Sequence, residues 1–167
     1  MNAPMNLPAP HRVFTGRSEF FEAIGGAFAD IAAAGCREVW IADVDYADWP
    51  LGERDVVESL TRWAMSHRKL TVLAQTFDEV PRRHPRFAEW RRQWSHAVEC
   101  RQLDDIEPGE MPTLLLAPGV VTVRLFDHVH LRGSVSSEAA DAIRCRELVD
   151  AISQRSVEAF PATTLGL

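Results

Sequence analysis

Three carboxylates follow the first strongly apolar strand of the sequence, and their spacing is the first feature that could support chemistry. Residues 39–42 are apolar, and Asp43, Asp45 and Asp48 come directly after them. If the strand continued, Asp43 and Asp45 would point to the same side, where they could share a cation or divide acid and base roles. The alternative is that these acids only cap the turn or helix that follows.

An Asp-x-Asp pair after an apolar strand resembles the haloacid dehalogenase-like phosphotransferases. In that family the first aspartate is the nucleophile and the second is the general acid, so the resemblance implies a Mg²⁺-dependent phosphotransferase or phosphatase using Asp43 and Asp45. The resemblance ends with those two residues. A whole helix precedes the strand, the expected Ser or Thr could only be Thr76, and no lysine follows Lys69.

A basic segment follows the second predicted strand. Arginine forks fit phosphate or carboxylate, and anions are favoured near a helix start such as the one predicted around Arg82. The segment could cradle a small anion, dock a partner protein, or be a solvated helix face paired with the acidic loop 104–112. Its six arginines and two histidines are Arg82, Arg83, His84, Arg86, Arg91, Arg92, His96 and Arg101.

The segment Asp127–His130 holds two further candidate ligands. In a strand, His128 and His130 would face one side, as metal ligands must. No third ligand is evident, and a half-exposed strand pair is the alternative. The sequence also has no G-x-S-x-G elbow, no phosphate loop and no G-x-G-x-x-G. We therefore expect neither a metal nor a cofactor.

Helices and strands that would position these residues alternate along the chain. Two strands separated by a helix should lie parallel, and two joined by Pro118-Gly119 should form an antiparallel hairpin. This order predicts an α/β fold, a three-layer α/β/α sandwich with a mixed sheet. Ser18 is the expected N-cap of the first helix. The predicted helices are 18–34, 53–66, 82–95 and 137–157, and the predicted strands are 13–14, 38–43, 70–74, 98–102, 113–117 and 120–126.

Length and composition indicate one globular domain. The chain has 167 residues, of which 46% are hydrophobic and 25% charged, and its net charge of −6 argues against a nucleic-acid partner. We predict a flexible arm at 1–11, a domain at 12–160 and a tail at 161–167. The three cysteines form no C-x-x-C pair. No run approaches the roughly 20 apolar residues of a membrane helix, and no signal peptide is evident, so we expect a cytoplasmic protein without membrane contact.

The segment 38–103 resembles an uncharacterised family of proteobacterial domains with a phospholipase D-like fold. The resemblance lies in the layout of strand, acidic turn, helix and strand, and in the phrases 66–74, 78–87 and 98–101. It covers roughly residues 12–160 and implies a phospholipase D-like sandwich. Because single-repeat members of the phospholipase D superfamily pair across one edge, it also implies a homodimer.

The superfamily motif, His-x-Lys-x4-Asp, has no catalytic counterpart here. At the matching predicted hairpin its three positions fall on Pro112, Leu114 and Gly119, none of which can attack phosphorus or transfer a proton. Downstream, the segment 132–136 resembles the Gly-Ser turn that follows the motif. The resemblance therefore implies a degenerate member with the frame but not the phosphohistidine chemistry.

Three functions remain open from the sequence. The first is a non-catalytic domain that binds a partner protein or a small anion, the second is the Mg²⁺-dependent phosphotransferase or phosphatase, and the third is a structural or regulatory docking module that uses the arginine helix. Strand-end geometry gives the candidate ligand residues Asp43, Asp45, Gln75 and His84, with Arg82 or Arg124 as the anion contact.

Overall fold

Eight strands form one mixed sheet in the computed structural model, which describes residues 11–65, 67–107 and 109–161. The strand order across the sheet is β1-β7-β6-β5-β2-β3-β4-β8. The strands are β1 (His11–Thr15), β2 (Glu38–Asp43), β3 (Lys69–Ala74), β4 (Val98–Gln102), β5 (Leu114–Ala117), β6 (Val121–Asp127), β7 (Arg132–Ser136) and β8 (Val157–Glu158). The helices are α1 (Arg17–Ala34), α2 (Arg54–Trp63), α3 (Val80–Arg83), α4 (Pro85–Gln93) and α5 (Ala139–Arg155).

Parallel pairing is confined to the centre of the sheet. β2 pairs with β3 and β3 with β4 in parallel, whereas every other neighbouring pair is antiparallel. The predicted parallel pair and the predicted hairpin at Pro118-Gly119 are both confirmed. The central strands are buried on both faces, which explains why their sequences read as continuous apolar runs.

Alternation along the strands divides the core between the two faces of the sheet. On β2, Val39 and Ile41 pack with α1, α2 and α4, while Trp40 and Ala42 pack with α5. The helices therefore form two layers around the sheet, and the predicted α/β class with a mixed sheet is confirmed.

The first helix follows its apolar spacing closely. Phe20, Ile24, Phe28 and Ile31 are all buried, and the helix ends at Gly35, whose left-handed backbone (φ 69°) lets its N–H bond the Ile31 carbonyl at 2.9 Å. The predicted N-cap is wrong. Ser18 lies inside the first turn, because the helix begins at Arg17 after Gly16 and has no side-chain cap.

Three segments differ from the sequence prediction. The helix expected at 82–95 is split into α3 and α4, because Pro85 disfavours helical backbone at His84. The segment 132–136, compared above with a Gly-Ser turn, is strand β7, and the 128–131 segment of the predicted His-x-His strand is the turn between β6 and β7. The predicted arm and tail lie outside the described residues except for His11 and Pro161. Within the described ranges, no helix is long and apolar enough to cross a membrane.

Candidate functional site

The carboxyl end of β2 is organised around a buried carboxylate. Asp43 is the last residue of the strand and is 8% exposed. Its Oδ1 accepts a hydrogen bond from Thr113 Oγ1, and its Oδ2 accepts from the backbone amides of Tyr46 at 2.7 Å and Asp45 at 3.3 Å. Thr113 Oγ1 also lies 2.9 Å from Nε2 of His128. Asp43 therefore closes the turn after β2 and fastens it to the segment before β5.

The two aspartates of the Asp-x-Asp pair do not form a cation site. Because β2 ends at Asp43, the chain turns, and Asp45 instead accepts a hydrogen bond from the amide of Ala47 at 3.0 Å. Removal from water raises the pKa of Asp43 above its ordinary value, although its hydrogen bonds act in the opposite direction. Across the described residues, no group of three or more His, Cys, Asp or Glu side chains could hold a metal ion.

The other predicted residues near this edge also have partners within the chain. His84 is buried, and its Nε2 donates to the Tyr46 carbonyl at 2.7 Å, so it holds the loop after β2 in place. Gln75 Nε2 donates to the carbonyl of Asp104 at 3.3 Å. Arg82 is paired with Glu79 at 2.6 Å, and the arginines Arg82 and Arg83 lower the pKa of Glu79 to about 2. These contacts give each side chain a structural role.

Arg124, the remaining candidate, lies on the opposite face of the sheet. It belongs to the side of β6 that faces α5, together with Thr122. Pairing of β6 with β7 places Thr122 beside Ser136 and Arg124 beside Ser134, and pairing of β7 with β1 places His11 beside Ser136. These polar side chains therefore share one patch of sheet.

A cavity of about 280 Å³ lies between this patch and the start of α5. Its polar groups come from three strands and one helix, so only the folded sheet brings them together. Cys145, which is 1% exposed, also borders it, and burial raises the pKa of its thiol. The lining residues are His11, Thr122, Arg124, Phe126, Ser134, Ser136, Asp141, Arg144 and Cys145.

The cavity combines excess positive charge with free hydroxyl groups. Arg144 pairs with Asp141 at 2.5 Å, and Ser136 donates to the same carboxylate at 2.6 Å; the Ser136 hydrogen bond and the arginine both lower the pKa of Asp141, so it stays ionised. Arg124 has neither an ion pair nor a hydrogen bond within the described residues. Within the described part of the chain, one guanidinium of the cavity is therefore outside any ion pair.

Two buried hydroxyls face the same cavity without a partner. Thr122 is 4% exposed and Ser134 is 6% exposed, and neither side chain forms a hydrogen bond to another group in the described part of the chain. Buried hydroxyls are normally hydrogen-bonded, so these two are exceptions within the described residues. Their position in the cavity gives them access to a ligand or to water.

Close approach of β7 to β6 at Gly133 fixes the position of Ser134, which lines the cavity. A Cβ added at Gly133 in β7 would collide with the Arg124 carbonyl oxygen and would lie 2.7 Å from the Phe14 ring. Only glycine fits so close to the neighbouring backbone, and the adjacent Ser134 is thereby held beside Arg124.

Comparison with solved structures identifies the architecture. NucT from Helicobacter pylori has a TM-score of 0.59 at 10% identity, and its match covers 89% of this chain and 98% of that one. Nuc from Salmonella typhimurium, a phospholipase D family member, has a TM-score of 0.53 at 9% identity over the same shares. The chain has a phospholipase D-like fold. No protein-family model and no curated protein matches the sequence.

A third solved structure is also similar to this chain. TrmBL2, an archaeal chromatin protein described as binding DNA, has a TM-score of 0.67 at 13% identity. The match covers 95% of this chain, which spans 56% of the length of that protein.

The three motif positions assigned from the sequence do not converge in the phospholipase D-like fold. Leu114 is buried in the core beneath α5, and Gly119 lies in the turn at the far end of β5, with φ 79°. None of the three lines the cavity described above.

Sequence reasoning missed most of the cavity. It selected Arg124 but not Thr122, Ser134, Ser136 or Arg144. A signal was available, because hydroxyl and arginine side chains recur at every second residue from 122 to 124 and from 132 to 136. The pattern predicts a polar sheet face, and it was overlooked because 132–136 was not assigned as a strand.

Proposed function

We propose that the protein is a non-catalytic phospholipase D-like domain that binds a small tetrahedral oxyanion, such as phosphate, in the cavity beside Arg124. The observation that supports this proposal is the unpaired Arg124 guanidinium beside the unpartnered hydroxyls of Thr122 and Ser134. Arginine and hydroxyl donors are the groups that bind phosphate oxygens in proteins. Arg144 strengthens the field but is partly neutralised by Asp141.

The composition of the cavity supports binding without turnover. A phosphohistidine mechanism needs a nucleophile and a group that protonates the leaving oxygen. His11 is the only imidazole in the lining, and Asp141 is held ionised by Ser136 and Arg144, so it is a poor proton donor. The described lining of the cavity therefore offers no good group to protonate the leaving oxygen.

The strand that borders β7 also gives a better position for the degenerate motif. The spacing His-x-Lys-x4-Asp then falls on Val120, just before β6, and on Thr122 and Asp127 within it, and the Gly-Ser pair at 133–134 follows after the turn. Only the aspartate remains in this register. It accepts hydrogen bonds from the amides of Val129 and His130 and from the His130 ring at 2.7 Å, so it stabilises the turn.

The test is calorimetric titration with inorganic phosphate. We expect saturable binding to the wild-type chain and at least about tenfold weaker binding in Arg124→Gln, because a charged hydrogen bond contributes roughly 1.5–3 kcal/mol. Arg12→Gln is the matched control, since Arg12 lies on β1, two strands from Arg124, but does not line the cavity. An equal loss in both variants, or no binding at all, would overturn the proposal.

The claim of no turnover has its own test. Hydrolysis of bis(p-nitrophenyl) phosphate should stay at the rate without protein, with or without Mg²⁺. Hydrolysis that disappears in His11→Gln would show a catalytic cavity. Mg²⁺-dependent hydrolysis that disappears in Asp43→Asn would instead favour the phosphatase hypothesis, which the hydrogen bonds already held by Asp43 make less favourable.

Macromolecular partners remain a second proposal. A homodimer could use β1, the edge strand of the described sheet, where Val13 is exposed. Light scattering should then give twice the mass of one chain, and Val13→Glu should reduce the measured mass to that of one chain.

DNA is a further candidate because of the chromatin protein of the same fold. A duplex oligonucleotide titrated at physiological salt tests it, and displacement by phosphate would place the DNA backbone in the same cavity.

A further inference from the structure

Phe126 borders the oxyanion cavity but is not packed into the protein. It is 56% exposed, although aromatic side chains of this size are usually buried in large part. The pairing of β6 with β7 shifts between Leu125 and Asp127, so Phe126 occupies a bulge. Bulges commonly re-aim a side chain next to a binding site.

The cavity is larger than one oxyanion requires. Its volume of about 280 Å³ approaches the roughly 300 Å³ at which pockets begin to hold drug-sized ligands. The polar donors of the lining include Thr122, Arg124, Ser134 and Arg144, and Phe126 adds an aromatic wall two residues beyond Arg124. Residues two apart on a strand are roughly 6–7 Å apart, which suits a group one or two bonds from the anion.

We propose that the natural ligand is a phosphomonoester carrying a planar aromatic group, with the phosphate at Arg124 and the ring against Phe126. This inference rests on the proposed oxyanion function and names the ligand class for the same cavity. The phosphate supplies charge for the unpaired guanidinium, and the aromatic group covers the exposed ring. Neither inorganic phosphate nor an aliphatic phosphate would satisfy both features.

The test compares three ligands of the same head group: phenyl phosphate, glycerol 3-phosphate and inorganic phosphate. Calorimetry should give roughly fivefold tighter binding of phenyl phosphate than of glycerol 3-phosphate, because an aromatic pair contributes about 0.5–1.5 kcal/mol. Phe126→Leu should abolish that preference, so that phenyl phosphate binds no more tightly than glycerol 3-phosphate. Val129→Ala is the control, because Val129 is 86% exposed but does not line the cavity.

The outcomes separate the two proposals. If inorganic phosphate binds and Arg124→Gln weakens it, but phenyl phosphate has no advantage, the ligand class is wrong and the oxyanion function stands. The ligand class is equally wrong if the preference survives in Phe126→Leu. If none of the three ligands binds, the oxyanion function itself is overturned. A change of oligomeric state in Phe126→Leu without a change in affinity would assign the ring to a subunit contact instead.

Discussion

Two polar regions on opposite faces of one sheet differ in whether their groups already have partners. At the end of β2, the carboxylate of Asp43 accepts three hydrogen bonds from Thr113, Tyr46 and Asp45. In the cavity beneath α5, Thr122 and Ser134 make none within the described residues. The first region uses its polar groups to hold the chain in shape, and the second has polar groups available for a ligand.

This comparison teaches that residue type alone does not identify a site. Aspartates after an apolar strand look reactive, but here hydrogen-bond donors of the chain already bind their carboxylates. These aspartates therefore stabilise the turn. Arginine and hydroxyl groups on a short strand look like an ordinary surface, yet their lack of partners distinguishes them. The contrast can be tested by substitution, beginning with the largest expected effect.

Gly133→Ala should disrupt the frame that supports the cavity. The added methyl would collide with the backbone carbonyl of Arg124, and backbone cannot move as a flexible side chain can. We expect a loss of about 3 kcal/mol or more in the free energy of unfolding, measured in urea. Gly26→Ala in α1 is the matched control, because no atom lies within 4 Å of its added Cβ and alanine favours a helix. Equal effects would contradict the close strand approach.

Asp43→Ala should cost about 2–3 kcal/mol, because it leaves the buried Thr113 hydroxyl and the Tyr46 amide without an acceptor. Asp43→Asn should cost less than about 1 kcal/mol, since an amide can accept one of these bonds and donate the other. Urea unfolding of both variants measures the difference. Equal losses would mean that the charge of Asp43, rather than its hydrogen bonds, stabilises the turn.

The raised pKa of Asp43 adds a pH dependence with a definite sign. A carboxyl group whose folded pKa exceeds its unfolded value stabilises the protein at low pH, and that contribution is lost as pH rises through the folded pKa. The wild type should therefore lose stability relative to Asp43→Asn between the ordinary carboxyl pKa and the raised one. If the difference in unfolding free energy between the two proteins stays constant across this pH range, burial does not raise the pKa of Asp43 as we infer.

Much of the fold follows from the sequence, whereas the cavity does not. The bounds of β2 and β4 match their prediction, because apolar runs and turn residues are local signals. The break at His84 also has a local cause in Pro85. β7 was missed because its glycine and serines have low strand propensity, and only pairing with β1 and β6 makes it a strand.

The sequence reasoning about the candidate site residues has a related limit: it could not place them relative to one another. Asp43 and Asp45 were grouped on the assumption that the strand continues, but the turn that Asp43 itself closes separates them. Arg124, expected from the sequence as an anion contact, lines the cavity, but its neighbours His11 and Arg144 come from distant parts of the chain. Such long-range convergence depends on strand order, which periodicity does not specify.

The smallest expected effects compare the two regions most directly, because a threonine can be replaced by valine in each of them. Thr113→Val removes the hydroxyl that donates to Asp43, and should cost about 1–2 kcal/mol in urea unfolding without changing phosphate affinity. Thr122→Val removes a hydroxyl for which the described residues provide no partner, so the free energy of unfolding should change by less than about 0.5 kcal/mol.

Phosphate binding should reverse that order. Calorimetry should show at least about tenfold weaker binding in Thr122→Val, since a hydrogen bond to a charged group contributes roughly 1.5–3 kcal/mol net. Thr113→Val should bind phosphate as the wild type does, because Thr113 does not line the cavity. If instead Thr122→Val loses stability and Thr113→Val loses affinity, the roles assigned to the two regions are reversed. Thr122 would then be the hydroxyl with a partner inside the chain, and Thr113 the one that binds phosphate.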